Sequence, residues 1–389
     1  MLTTQYEMST ARNDCHLVRI QLVDPSAYTP PYDHALAAAL ARAGADVELV
    51  TSRFLYGPVP SAEGYAVNEL FYRRTARRGL SAPGRAALKL AEHVPDMLRY
   101  RRHARGADVV HWQWLTVQPL DVAVLPRVRP QVLTAHDILP REPRPGQVAA
   151  TRRLVARMDA LVAHSEHGAS RLRDELGVPP ERVHVIPHGA FDYLTRMPEE
   201  RPLPDDLASV EGPVVLFFGL LRPYKGVDVL IEAFREIQGA ELWVVGMPRM
   251  PIDPLRETAG GARSPVRFVD RFVTDPEIPA YFRRADLVVL PYREIDQSGV
   301  LYTALAFGKP MILSAVGGFT ELVDRHGAGR LVPPGDVLAL RSAIAELLAG
   351  DGARAGLADA AARAAAGPYS WDRVAGQTLA LYRNLLPGS

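Results

Sequence analysis

The chain predicts an α/β protein built as two doubly wound, Rossmann-like domains facing one another. Three observations carry that prediction. Short β-branched runs recur, each closing on a Gly, Pro or His turn and followed by apolar residues at helical spacing, as in Val214 to Phe234, VVLFFGLLRPYKGVDVLIEAF. These units fall into two series separated by a polar, Pro-rich stretch at 194–213, LTRMPEERPLPDDLASVEGP. At 389 residues, the chain also exceeds the size at which a single core stops growing.

Composition narrows the class. With 48% apolar and 23% charged residues, the chain is that of a folded globular protein. No apolar run reaches bilayer length, and the first 18 residues lack the basic head and apolar centre of a secretory signal. Cys15 is the lone cysteine, which excludes an intrachain disulfide and a thiolate metal site. A cytoplasmic location is the expectation. The formal net charge of +1 argues against a general nucleic-acid binder. Charge is unevenly placed, however: between positions 66 and 106 ten basic residues, Arg73, Arg74, Arg77 and Arg78 among them, face three acidic ones. That stretch predicts the wet side of Arg-rich helices, attraction of an acidic acceptor, or peripheral contact with the anionic inner face of a membrane.

In chain order, Val18 to Val23 reads as the first strand, and Val47 to Val50 as the next after a helix from about Asp33 to Ala43. The intervening loop, DPSAYTPPYDH, is not a dinucleotide glycine fingerprint. Its Tyr32 and Asp33 suit one wall of a cleft, although Asp33 can equally serve the start of the helix. A basic helix spans about Pro83 to His103, and a strand then leads into His111-Trp112-Gln113-Trp114. Two tryptophans at a strand end, Trp114 included, serve either as a stacking surface for a sugar or as core. Three further strands deliver His136 and Asp137, then His164, then His188. Histidines at three successive strand ends imply a shared cleft. Apart from His164 and His167 at i,i+3, none shows the paired spacing of a catalytic metal motif, so no metal site is expected.

The second series starts at Val214 and continues through strands ending at Gly246, near Phe268 and at Pro291-Tyr292. A helix at 300–307 follows, then a strand, the Gly317-Gly318 loop and Ala-rich helices over 337–366. The closing segment, YSWDRVAGQTLALYRNLL, reads as an amphipathic helix. The expected partition is residues 1–193, a linker at 194–213, a second domain at 214–366, and a final helix in 367–389.

The chemistry is suggested by the loops after the second-domain strands. Arg222 and Lys225 lie between Gly219 and Gly226 with Pro223 stiffening the turn, a place where open α/β sheets bind anions. Gln297, Ser298, Gly299 and Val300 precede a helix whose free N–H groups offer a second anion or hydroxyl site. Glu321, at the start of a later helix, suits hydroxyl binding or capping. Walker-type loops, nucleophile elbows and acidic metal pairs are missing from the sequence. A diphosphate held opposite histidines describes transfer of an activated group better than hydrolysis.

The segments FFGLLRPYKGVDVLIEAF, ADLVVLPY, ALAFGKPMILSAVGGFTELV, VIPHG and SWDRVAGQTLALYRNLL together resemble the GT-B retaining glycosyltransferases, and among them glycosyltransferase family 4. The resemblance implies a GT-B architecture, a nucleoside diphosphate sugar (UDP or GDP) as donor in the second domain, a hydroxylated acceptor (a glycan, a lipid-linked molecule or a small molecule) in the first, no tightly bound cofactor, and a last helix that crosses back. It implies that Arg222 and Lys225 clamp the donor phosphates, that His136 touches the transferred sugar, and that Phe268, Arg271 and Phe272 form the edge of the nucleobase site beyond Gly246. The family's two glutamates, separated by seven residues, do not occur: Ile295 and Thr303 stand in their places, with Glu294 adjacent to the first. Other readings of the same architecture are a sugar-nucleotide epimerase, a glycosyl phosphorylase, or a non-catalytic sugar-nucleotide-binding protein.

Overall fold

The computed structural model describes residues 17–76, 81–115, 117–139 and 145–387. Arg77 and Arg78 lie outside them.

Two all-parallel sheets organise the chain. The first has seven strands: β1 (Arg19–Asp24), β2 (Asp46–Ser52), β3 (Ala66–Phe71), β4 (Val109–Trp112), β5 (Gln131–Thr134), β6 (Ala160–Ala163) and β7 (Val183–Val185), in the order β3-β2-β1-β4-β5-β6-β7. The second has six: β8 (Val214–Phe218), β9 (Glu241–Val245), β10 (Val266–Val269), β11 (Leu287–Leu290), β12 (Met311–Ser314) and β13 (Arg330–Val332), in the order β10-β9-β8-β11-β12-β13. Each sheet reverses its winding once, between β1 and β4 and between β8 and β11. Loops leaving the carboxyl ends of strands at such a reversal splay apart and open a crevice, so physics places binding sites there. This is the architecture that the alternating pattern predicts.

The buried strands are continuous apolar runs because helices cover both faces of a parallel sheet. Val214 to Phe217 and Leu287 to Leu290 are fully buried and form the centre of the second core. β3 has no such run. Its Ala66, Val67 and Glu69 are exposed, as befits an edge strand, and the sequence pattern does not reveal it. The helices Gln118–Val124 and Gln147–Val155 flank β5 and likewise lie outside the local sequence pattern. The Pro-rich stretch holds a 3-10 turn, Asp192–Arg196, and a single helical turn, Asp205–Ala208.

The last helix, Trp371–Leu385, returns to the first domain. Its Val374, Ala375, Leu379 and Tyr382 join Leu36, Leu40 and Ile20 in one apolar cluster. Trp371 donates from Nε1 to the carbonyl of Ala190 at 2.7 Å. A Cβ on Gly189 would lie 2.4 Å from the indole, so only glycine lets the chain pass beneath that ring.

Candidate active site

In the second domain, β8 hands over at Gly219 to the 3-10 turn Pro223–Lys225, which closes at Gly226 before the helix Val227–Phe234. Both glycines take positive φ, +107° and +65°, conformations that side chains resist. Lys225 is buried, and its Nζ stands 5.2 Å from the centre of the Tyr292 ring. It would lie 3.2 Å from a Cβ on Gly219. Arg222 is exposed on the same turn. Arg293 braces the turn from outside, donating to the Pro223 carbonyl at 2.7 Å and to both Asp228 oxygens at 2.9 and 2.6 Å. At the end of β9, Gly246 has φ +145° and sits so close that a Cβ there would fall 2.0 Å from the Gly219 carbonyl oxygen. The backbones at the β8 and β9 ends thus meet with no space for a side chain.

The helix Gly299–Ala306 points its N-terminus at this turn, with Val300 3.0 Å from where a Gly219 Cβ would stand. Thr303, one of the two residues in the glutamate positions, spends its hydroxyl on the Gly299 carbonyl at 3.0 Å inside the helix. Ile295, the other, is buried. Glu294 is on the exposed side of the loop. Ser298 approaches the Tyr292 hydroxyl at 3.3 Å, and Gln297 accepts from the Tyr302 hydroxyl at 2.6 Å. Of the residues expected at the nucleobase edge, Phe268 lies beneath the Arg256 guanidinium, 4.9 Å away. Arg271 is paired with Glu277 at 2.6 Å. Phe272 is exposed and lines a cavity of about 140 Å³ together with Tyr28 and Tyr56 of the first domain.

In the first domain three of the strand-end histidines converge. The Tyr32 ring centre lies 4.8 Å from that of His136, 5.4 Å from His164 and 4.8 Å from His188. Trp114 stacks on His136 at 5.1 Å, anchored by its Nε1 to Thr29 Oγ1 at 2.9 Å. Burial, reinforced by the neighbouring His164, holds His136 and His188 well below the usual imidazole range, and burial brings His164 down to about 4. All three are neutral at pH 7. Asp137, beside His136, is exposed.

Two cleft expectations need correction. His111 is fully enclosed, its Nδ1 2.6 Å from the Tyr382 hydroxyl and its Nε2 2.8 Å from Thr134 Oγ1. It ties the returning helix to the sheet, because alternation along β4 turns it inward. Asp33 is buried in the first turn of its helix. Burial, with Asp24 beside it, pushes the Asp33 carboxyl well above the usual range. Asp24 accepts from the backbone N–H groups of Ser26, Tyr28 and Thr29 at 3.0, 2.5 and 3.2 Å, which shapes the loop bearing Tyr32. Of the two tryptophans, Trp112 is core and Trp114 faces the histidines.

The domains touch through contacts the sequence does not signal. Tyr302 stacks on His188, ring centres 4.1 Å apart and planes within 5°. Asp296 takes an ion pair from Arg171 and a hydrogen bond from the Ile138 N–H at 3.3 Å. Glu321 does cap a helix, but one in the other domain: it accepts from the N–H groups of Glu166 and His167 at 3.0 and 2.8 Å. These pairings join residues more than a hundred positions apart, and no local spacing announces them. A separate cleft of about 1120 Å³ opens beside the edge strand β3, lined by Arg53, Phe54, Tyr56, Arg73 and Arg85 among others. Among the described residues, no group of three His, Cys, Asp or Glu side chains is placed to hold a metal ion.

Comparison with known proteins agrees with this geometry. Residues 212–350 match the family model described as glycosyl transferases group 1, and residues 32–190 match that of glycosyltransferase family 4. A D-inositol 3-phosphate glycosyltransferase from Xylanimonas cellulosilytica is 31% identical, with 89% of each chain covered. A GDP-mannose:glycolipid 4-beta-D-mannosyltransferase from Xanthomonas campestris is 29% identical over 51% of this chain and 54% of its own. In fold, sucrose-phosphate synthase from Thermosynechococcus elongatus superposes with a TM-score of 0.73 at 21% identity, covering 96% of this chain and all of the other. Anabaena HepE in complex with UDP-glucose superposes at 0.70 and 20% identity, covering 95% of this chain and all of its own. With two parallel-sheet domains about a cleft and both family models matched across them, the chain belongs to the GT-B glycosyltransferases that resemble family 4, enzymes transferring a sugar from a nucleoside diphosphate donor to an acceptor.

Proposed function

We propose that the protein is a retaining glycosyltransferase that moves a hexose-type sugar from UDP or GDP to an acceptor hydroxyl without a divalent metal. The observation that carries this reading is the placement of Lys225: a buried ammonium at a glycine-bounded strand end, beside the N-terminus of the helix Gly299–Ala306. Both supply positive potential where a diphosphate would sit, and a cation preorganised in a dry site stabilises the charge that grows on the leaving group. Arg222, on the same turn, would reach the outer phosphate. With neutral histidines and no carboxylate in the family's glutamate positions, the leaving diphosphate itself would take the acceptor proton, on the sugar face it leaves from. Glu294 and the Gln297 to Val300 turn would hold the sugar.

The acceptor would enter from the first domain. Arg53, Arg73 and Arg85 among the aromatic rings of the cleft beside β3 favour an acceptor that carries a negative charge. The name of the Xylanimonas relative, with its phosphorylated acceptor, supports the same class. Contact with an anionic membrane through the basic 66–106 stretch, from the cytoplasmic side, would fit a lipid-linked acceptor; Leu90 and Leu98 are exposed on its helix.

Titration with UDP-glucose and GDP-mannose, followed by product analysis, tests the reading. Transfer should continue in excess chelator, give a product of retained anomeric configuration, and fall at least 100-fold in Lys225→Ala and Arg222→Ala. Near-native turnover in both variants would sink the phosphate clamp. A reaction that requires inorganic phosphate would make the protein a phosphorylase, and one that forms no glycosidic bond would make it an epimerase or a binding protein. Sedimentation with anionic liposomes that is unchanged after neutralising Arg73 and Arg74 would remove that stretch as a membrane contact.

A further inference from the structure

Two of the three clustered histidines, His164 and His136, form a directional chain. His164 Nδ1 stands 3.0 Å from the carbonyl oxygen of Ile186, and a carbonyl can only accept, so this nitrogen carries the proton. His164 is enclosed by rings, with Tyr32, His136 and His188 around it, and is neutral there. Its Nε2 is therefore a lone pair. That lone pair faces His136 Nδ1 at 3.4 Å, which must supply the proton between them. In a neutral His136, Nε2 is then also a lone pair.

A second observation reaches the same end from the other side. As placed, Gln113 turns its Oε1 to His136 Nε2 at 3.2 Å, while its Nε2 is buried with no partner among the described residues. A half-turn of the amide exchanges two ends of nearly equal size. It gives the orphaned N–H an acceptor in His136 Nε2, and a buried N–H left unpaired costs more than a carbonyl in the same position.

We propose that His164, anchored on the Ile186 carbonyl, is a positioning residue that locks His136 as the Nδ1–H tautomer, so that His136 Nε2 accepts a hydrogen bond from a substrate hydroxyl and does not donate one. The Trp114 ring stacked on His136 keeps the imidazole plane in the line of the chain. Gln113 occupies the accepting nitrogen until a hydroxyl replaces it. This deepens the glycosyl-transfer reading, but the tautomer itself does not depend on that reading.

Long-range proton–nitrogen NMR on protein labelled with nitrogen-15 histidine, at pH 7.5, reads each ring's tautomer directly; His136→Gln serves to assign the signal. Both His136 and His164 should be protonated at Nδ1. A proton on Nε2 of either ring overturns the proposal, whether or not transfer activity is found. In His164→Leu, shown by circular dichroism to be folded, His136 should change to the Nε2–H tautomer, donating to Gln113. Its turnover should fall about tenfold while the affinity for the donor nucleotide stays within twofold. A His136 that keeps its Nδ1 proton in this variant would remove His164 from the role.

Discussion

The imidazole of His188 lies flat against the phenol ring of Tyr302, with 4.1 Å between ring centres, and so joins the end of β7 to the helix that faces the Pro223–Lys225 turn. Tyr302 also donates to Gln297 at 2.6 Å, which links the histidine cluster to the proposed sugar loop. Tyr302→Phe keeps the stack and loses only the hydrogen bond. It should leave stability within about 1 kcal/mol of the native value and weaken donor binding. Tyr302→Ala should cost about 3 kcal/mol as well. Urea unfolding and donor titration of the two variants separate the two effects.

Lys225 offers a cleaner test of charge against shape. Lys225→Met retains the length of the side chain and its contact with Tyr292 while removing the ammonium. kcat/KM should fall by about 100-fold to 1000-fold, with the unfolding midpoint little changed. A variant as active as the parent would show that the ammonium serves the fold alone.

Buried neutral histidines make stability dependent on pH with a definite sign. His164 titrates at about 4 and His111 at about 3 in the folded chain, both lowered by burial from 6.5. Above about pH 6.5 neither state binds the proton, and no difference exists. As pH falls below that value the unfolded chain takes up protons that the folded chain refuses, so stability is lost between 6.5 and about 4 for His164. The loss is on the order of 3 kcal/mol for that ring. Unfolding free energies measured from pH 7.5 down to 4.5 should decline, and His164→Leu should flatten part of that decline.

Gly246 combines φ +145° with a Cβ position 2.0 Å from the Gly219 carbonyl oxygen. Gly246→Ala should therefore push the ends of β8 and β9 apart. It should destabilise the protein by about 3 kcal/mol and weaken nucleotide binding more than an alanine elsewhere on the turn. Calorimetry with and without UDP or GDP measures both.

Glu321 and Asp296 hold the domains together from one side. Glu321→Ala leaves the N–H groups of Glu166 and His167 without their carboxylate and should cost about 1 kcal/mol. Asp296→Ala removes the partner of Arg171 and of the Ile138 N–H. Small-angle scattering should show a wider spread between domains in the double variant than in either single one. An unchanged profile would mean that the remaining contacts suffice.

Much of this molecule was legible in the order of its residues. Apolar runs such as Val214 to Phe217 could become only buried parallel strands, and a turn with cations between Gly219 and Gly226 could be placed outside a strand end, because periodicity and backbone freedom are local properties. Histidines at three successive strand ends announced a common location for the same reason. Local pattern could not tell which way His111 faces, that Asp33 is buried beside Asp24 with its proton affinity raised, or that Glu321 caps a helix of the opposite domain. Each of those depends on a neighbour brought from far along the chain, and burial, proton affinity and hydrogen-bond partnership are set by such neighbours. The sequence by itself determined the two-domain architecture, most of its strands and the loops at their ends; the packing of one domain on the other decided which side chains face the gap and which are spent holding it together.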